Sequence, residues 1–322
     1  MRKIPAALAV LTLAVVSLTG CSMPGASGCT RPAVPDQDVM DLIKVSGSTD
    51  AAPQVDVRTP FHTTDVSFQD VETGDGTPIT SDKQLVVVDI SVVSGKTGEV
   101  VAKTGYSGDL TSVRPVSALS GLFPKMGDAL HCATEGSRVV LAVPPGGVEA
   151  QTAASIGLAG DESAVAVIDL RKVYLPKADG SNVYNTGQGL PTVVRAPDGR
   201  PGIIVPDGAP PTKLAVQTLK KGDGEVVTGD VPVRVHYTGV LWDAKTVFDT
   251  TWDGEPKSIT LDSVVPGLAT ALKGATVGSQ IMVVVPPDKG YGDQAQGSIP
   301  AGSTLVFVVD ILGLDAPATT TQ

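Results

Sequence analysis

The chain repeats itself. Gly136-Ser137-Arg138-Val139-Val140-Leu141-Ala142-Val143-Pro144-Pro145 returns as Gly278-Ser279-Gln280-Ile281-Met282-Val283-Val284-Val285-Pro286-Pro287. The turn Gly74-Asp75-Gly76 returns as Gly222-Asp223-Gly224, and the run Ala164 to Leu170 as Leu305 to Ile311. Each copy therefore carries the same succession of turn and β-branched run, and two tandem copies of one sheet-containing fold are the economical reading. The length agrees, since 322 residues suffice for about two domains. So do 36 Gly and 25 Pro, which favour short strands and turns over long helices.

Within the second copy, Val231-Pro232-Val233-Arg234-Val235-His236-Tyr237 alternates, which places Val233, Val235 and Tyr237 on one face and Arg234 and His236 on the other. Pro266 to Gly274 reads as a helix of about two turns, with Pro in its first turn and Gly at its end. The runs Ile281 to Val285 and Leu305 to Ile311 are apolar on both faces, as central strands are. The expected architecture is α+β: two tandem domains, each a twisted antiparallel sheet wrapped around one short helix.

Charge and rare residues exclude several functions. A formal net charge of −10 leaves no basic footprint for nucleic acid. Three Cys and three His, scattered along the chain, do not have the spacing of a zinc site, and no metal or cofactor is expected. Neither Gly-Asp-Gly turn leads into a phosphate-binding helix start, so both are read as plain turns.

The N-terminus reads as an address. Arg2 and Lys3 precede an uncharged apolar run, Ile4 to Leu18, too short for a comfortable membrane span. The run ends in Leu18-Thr19-Gly20-Cys21, which resembles the lipobox of bacterial lipoproteins. That resemblance implies a signal peptide over 1–20, a lipidated Cys21 carrying palmitate-type acyl chains, and a location on the extracytoplasmic side of a bacterial cell membrane. Losing Arg2 and Lys3 takes the formal charge from −10 to −12, so the membrane would be held through the lipid anchor only. Lipidation of Cys21 would leave Cys29 and Cys132 in an oxidising compartment, where they either pair as a disulfide, the reading adopted, or remain two free thiols.

A second set of motifs spans Gly222 to Leu314. His236-Tyr237-Thr238-Gly239, Phe248-Asp249-Thr250-Thr251, Val264-Val265-Pro266-Gly267, Leu272-Lys273-Gly274, Pro286-Pro287-Asp288-Lys289-Gly290-Tyr291-Gly292, Ile299-Pro300 and Thr304-Leu305-Val306-Phe307 follow one another in order. In this order they resemble the FKBP-type peptidyl-prolyl cis–trans isomerases. The resemblance implies a proline pocket with Tyr237, Phe248, Asp249, Tyr291 and Phe307 as catalytic residues and Val264, Val265, Leu268 and Ile299 as substrate-binding ones. The family usually has Trp where Leu268 stands. It also implies exported polypeptides with X-Pro bonds as partners, together with the family's macrolide inhibitors, and the alternative of a non-catalytic chaperone or assembly module holding Pro-containing segments. An isomerase needs no nucleophile: the barrier of about 20 kcal/mol is lost amide resonance, which a dry aromatic cup can lower by favouring the twisted amide.

The expected organisation is a signal peptide (1–20), a lipid-attached tether (21–55), a degenerate FKBP-like domain (56–175), a linker (176–211), the isomerase domain (212–315) and a disordered tail (316–322). Aligned on the Gly-Asp-Gly turns, Asp89, Val100, Val101 and Ala166 of the first copy stand at Tyr237, Phe248, Asp249 and Phe307, with Glu149 or a neighbour at Tyr291. The aromatics are gone, and Asp89 would bring a carboxylate into the pocket.

Overall fold

A computed structural model describes residues 29–317 apart from 124 and 186. The expected signal peptide, Cys21 and residues 318–322 of the tail lie outside the described residues. From Arg31 onward the described residues form one compact unit. Among the described residues no helix is long and apolar enough to cross a membrane.

The first region opens with a short helix α1 (Gln37–Met40) and a hairpin, β1 (Ile43–Ser46) and β2 (Gln54–Val57). A sheet follows from β3 (Ser67–Glu72), β4 (Leu85–Ser94), β5 (Val100–Lys103), β6 (Arg114–Pro115), β7 (Arg138–Val143) and β8 (Ala164–Val173). Helices α2 (Val116–Ser120), α3 (Met126–Leu130) and α4 (Ala150–Ser155) lie in its connections. The second region begins with β9 (Ser181–Asn182) and a hairpin, β10 (Thr192–Arg195) and β11 (Pro201–Ile204). Its sheet is completed by β12 (Ala215–Lys221), β13 (Val233–Leu241), β14 (Val247–Thr250), β15 (Lys257–Ile259), β16 (Gln280–Val285) and β17 (Leu305–Leu314), with α5 (Pro266–Leu272).

The two sheets share one topology. The first runs β3-β7-β8-β4-β5 with β6 beside β4. The second runs β12-β16-β17-β13-β14 with β15 beside β13 and β9 added outside β12. All pairings are antiparallel. One expectation is corrected here: the first sheet carries three short helices rather than one.

The tether and linker expectations are corrected as well. Residues 31–57 and 176–211 are not plain spacers, because each contains a hairpin that covers the outer face of its sheet. Met40, Ile43, Val57 and Phe61 pack on Val93, Val140, Ala142, Val165 and Val167. Leu190, Val193, Ile203 and Val205 pack on Val240, Trp242, Met282, Val284, Val306 and Val308. The inner faces bury a second core, against α2 and α3 in the first sheet and against α5 in the second. This two-sided cover explains the near-continuous apolar runs of β7, β8, β16 and β17, since each Val or Ile fully buried contributes roughly 1.5–3 kcal/mol.

One pair of buried polar residues interrupts each outer core at the same register position. Asp169 pairs across the sheet with Arg138, and Asp310 with Gln280. In the first region Arg138 donates to Asp169 at 2.7 and 3.0 Å, and to the carbonyls of Gly47, Ser48 and Ala51 in the hairpin loop. In the second, Gln280 donates to Asp310 at 2.6 Å and accepts from Arg195 of the hairpin, while the Ala178 amide donates to Asp310. The buried polar pair thus anchors the outer cover in both regions. Cys29 and Cys132 are both disulfide-bonded.

Register also corrects the expected alignment of the two copies. His236 faces Asp310 and Asp89 faces Asp169, so Asp89 corresponds to His236, and Ile90 to Tyr237. By the same pairing Val101 and Ala102 stand at Phe248 and Asp249, whereas Ala166 does stand at Phe307. The connection after Gly-Asp-Gly is one residue shorter in the second copy, and a shift of one residue moves a side chain to the other face. Asp89 accordingly bonds Thr104 and faces Arg171, away from the inner core, where Ile90, Val101 and Ala102 pack.

Burial in the outer core pushes the Asp310 carboxyl up to about 6, despite the bonds from Ala178 and Gln280. A carboxyl whose folded pKa exceeds its unfolded value binds more protons in the native state, so stability falls as pH rises between the two values. Urea unfolding of the chain should show a loss between pH 4 and 6, on the order of 2–3 kcal/mol. In Asp310→Asn that loss should vanish; parallel pH profiles for the two proteins would refute the assignment.

Candidate active site

Three neighbouring strands of the second sheet and the start of α5 form a cup on the inner face. β13 supplies Val235 and Tyr237, alternate residues of one face, and β17 supplies Phe307 and Val309 in the same way. Edge strand β14 supplies Phe248 and Asp249. Its pairing slips between Gly239–Asp249 and Val240–Val247, so Phe248 is the extra residue of a bulge. Its ring lies over Gly239, where a Cβ would stand 2.4 Å from Phe248 Cζ. Glycine at 239 is therefore what lets the aromatic ring close on the sheet.

Helix α5 closes the bottom. Pro266 occupies its first turn, and Gly267 lets the helix approach β16 so closely that a Cβ would lie 2.6 Å from Val285 Cγ1. That approach brings Leu268 beneath the aromatic rings as a buried floor. The resulting cavity of about 210 Å³ is lined by Tyr237, Phe248, Asp249, Val264, Leu268, Tyr291 and Phe307 among the expected residues. Val265 and Ile299 are buried in the core behind it and do not line it. Val235, Ile259, Ser263 and Val309 line it in addition. Val235 and Val309 were legible as the residues two away from Tyr237 and Phe307, but Ile259 and Ser263 carried no local signal.

The rings meet edge to face: Phe248 and Phe307 at 5.5 Å and 89°, Tyr237 and Phe307 at 6.4 Å and 62°. Such pairs are worth about 0.5–1.5 kcal/mol beyond the area they bury. At the rim, the Tyr237 hydroxyl donates a short hydrogen bond to Asp249. Lys257, which sequence reasoning missed, donates to the same hydroxyl at 3.2 Å and lies 3.5 Å from the Asp249 carboxylate. Burial and then the Asp249 bond raise the Tyr237 pKa, so the phenol stays protonated at neutral pH. The bond to Tyr237 also raises that of Lys257, keeping the ammonium charged. The result is an apolar, aromatic recess with one polar edge that is already internally paired. It suits a small saturated ring whose attached amide reaches the rim.

On the opposite side of β13, His236 is buried and stacks on Trp252 at 4.3 Å and 19°. Burial holds its pKa down at about 4, so it is neutral at ordinary pH. Trp252 therefore lies outside the cup, and the floor belongs to Leu268.

The segment that carries this cup is similar to known proteins. Residues 222–312 match the family described as FKBP-type peptidyl-prolyl cis-trans isomerase. A protein named FK506-binding protein from Streptomyces anulatus is 33% identical over 120 residues, which are 36% of this chain and 97% of the relative. The FKBP-type peptidyl-prolyl cis-trans isomerase FkpA of Aeromonas hydrophila is 40% identical over 106 residues, 33% of this chain and 39% of that protein. Among solved structures, that of FkpA from Escherichia coli is 34% identical with a TM-score of 0.31, covering 40% of this chain and 53% of that one. The aromatic cup lies inside the matched segment, and the chain belongs to the FKBP-type peptidyl-prolyl cis-trans isomerases.

Proposed function

We propose that the cup of Tyr237, Phe248, Leu268 and Phe307 performs the isomerisation on X-Pro bonds of exported polypeptides. The observation that carries this reading is the edge-to-face pair of Phe248 and Phe307 over an apolar floor, with Asp249 and Tyr237 paired at the rim. The proline ring enters between the two Phe rings. Tyr291, partly exposed at the mouth, donates to the carbonyl that precedes the proline. Asp249 orients Tyr237, and Lys257 balances its charge. Twisting the amide reduces its dipole, so an apolar recess stabilises the twisted form relative to the planar one. No bond to the protein forms or breaks. Macrolide inhibitors of the FK506 type would occupy the same recess, over Leu268.

The first sheet we read as a degenerate copy with no such cup. It keeps the strand order, but Ile90, Val101, Ala102 and Ala166 fill its inner face. Its role would be to space the catalytic region from the membrane or to bind clients. The lipobox-like Leu18-Thr19-Gly20-Cys21 supports anchoring of the mature protein, through acylated Cys21, on the extracytoplasmic side of a bacterial membrane.

A proline-limited peptide assay on the full chain tests the site. Phe248→Ala and Asp249→Val should each lower kcat/KM about tenfold or more, roughly 1.4 kcal/mol of transition-state stabilisation. Gly239→Ala, whose methyl would displace the Phe248 ring, should do the same. The Phe248→Ala, Asp249→Val double variant should leave no rate above background if the first sheet is silent. Unchanged rates in the single variants would remove the site assignment. A wild type without activity would leave the groove as a holding site for Pro-containing segments.

The anchor has its own test. Mass spectrometry of the mature N-terminus should find Cys21 first in the chain and diacylglyceryl-modified; an unmodified Cys21 in a product cut elsewhere would rule the anchor out.

A further inference from the structure

The hairpin that precedes the catalytic sheet reaches further than its outer face. Its turn, Ala196 to Arg200, is closed by the Ala196 amide on the Arg200 carbonyl and the Gly199 amide on the Ala196 carbonyl. Lys177 caps it through a bond to the Pro197 carbonyl. The turn sits against Trp252, only three residues beyond Asp249. Gly199, at φ +102°, lies so close that a Cβ would stand 3.0 Å from Trp252 Cη2 and 2.8 Å from Lys177 Cβ. Next to it Arg200 donates to both carboxylate oxygens of Asp253, at 2.6 and 3.3 Å. The same indole stacks on His236.

The strand end held in this way is the deformable part of the cup. β14 is an edge strand joined to β13 by three register pairs and broken by the bulge at Phe248. Beyond it Thr251 ties the chain back to Tyr237: the Tyr237 amide donates to Thr251 Oγ1 at 2.9 Å, and the Thr251 amide to the Tyr237 carbonyl at 3.1 Å. His236 shares the same hydroxyl at 2.8 Å. Trp252 follows immediately, so its position is transmitted through Thr251 to Tyr237 and through Thr250 to Asp249.

We infer that the hairpin turn, through Gly199 and Trp252, is a clamp that positions Phe248 and Asp249 for the reaction. Trp252 and Gly199 are positioning residues: neither lines the cup. Packing supplies most of the hold. The Arg200–Asp253 pair is exposed, and such pairs contribute little. Trp252 Nε1 is shielded from solvent yet has no acceptor among the described residues, so the indole is held by the His236 stack and by packing against the turn and not by a hydrogen bond of its ring nitrogen. The inference rests on the assignment of Phe248 and Asp249 to the site.

The experiment uses the full chain, with kcat and KM measured separately and folding checked by urea midpoint. Trp252→Ala should lower kcat about fivefold or more while KM stays within about twofold, because misplaced catalytic groups cost the transition state rather than the ground state. Trp252→Phe, which keeps a flat ring and gives up no hydrogen bond, should restore kcat to within about twofold of wild type. Gly199→Val, a change in the hairpin alone, should reproduce the kcat loss by pushing the indole away. Wild-type kcat in folded Trp252→Ala or folded Gly199→Val would overturn the clamp, as would a loss confined to KM or one matching the unfolded fraction. Phe248→Ala run in parallel separates the two readings: unchanged activity there would remove the site assignment itself.

Discussion

Both sheets depend on a central strand that must be dry on two sides. β8 and β17 carry apolar residues on successive positions, so each exposes hydrocarbon to water unless both faces are covered. One cover is helical and the other is the hairpin before the sheet. The outer covers would be free to slide over a purely aliphatic surface. Asp169 and Asp310 stop this, since a buried carboxylate demands partners in fixed places and the hairpins and their approaches supply them. The first region meets that demand with a buried ion pair, the second with an amide and a main-chain donor. In both regions burial outweighs these partners and raises the carboxyl pKa, that of Asp310 to about 6.

The aromatic cup is a product of what the second sheet leaves unfilled. At its edge the bulge lifts Phe248 onto Gly239, and α5 approaches through Gly267, so four aromatic rings and Leu268 surround a recess where the first sheet packs Ile90, Val101, Ala102 and Ala166. The polar rim is economical. Tyr237, Asp249 and Lys257 satisfy one another before any substrate arrives, so the recess can stay apolar without stranding a charge.

The motif order from His236 to Phe307 made the cup legible before any fold was known only through its resemblance to the FKBP-type family; alternation by itself would place Tyr237 and Phe307 simply on an inward strand face. Two kinds of residue escaped that reading. Lys257 and Ile259 lie on a short strand whose place beside β13 is set by long-range register. Val265 and Ile299 belong to the right motifs, yet they support the wall from behind, because a local motif does not tell which side of a wall a side chain faces.

From the amino-acid order alone follow the tandem repeat, the antiparallel strands with their dry runs and the start of α5 at Pro266. These are local: alternation, turn chemistry and side-chain volume act within a few residues. Only the tertiary structure decided which residues of the first copy match that cup, since a one-residue change in loop length reverses the face of Asp89 and Ile90. It also decided that 176–211 covers the outer face of the second sheet instead of forming a plain spacer. Composition marks that segment as turn-rich, but its hairpin has meaning only against Met282, Val306 and Trp252, residues distant in sequence that burial brings beneath it.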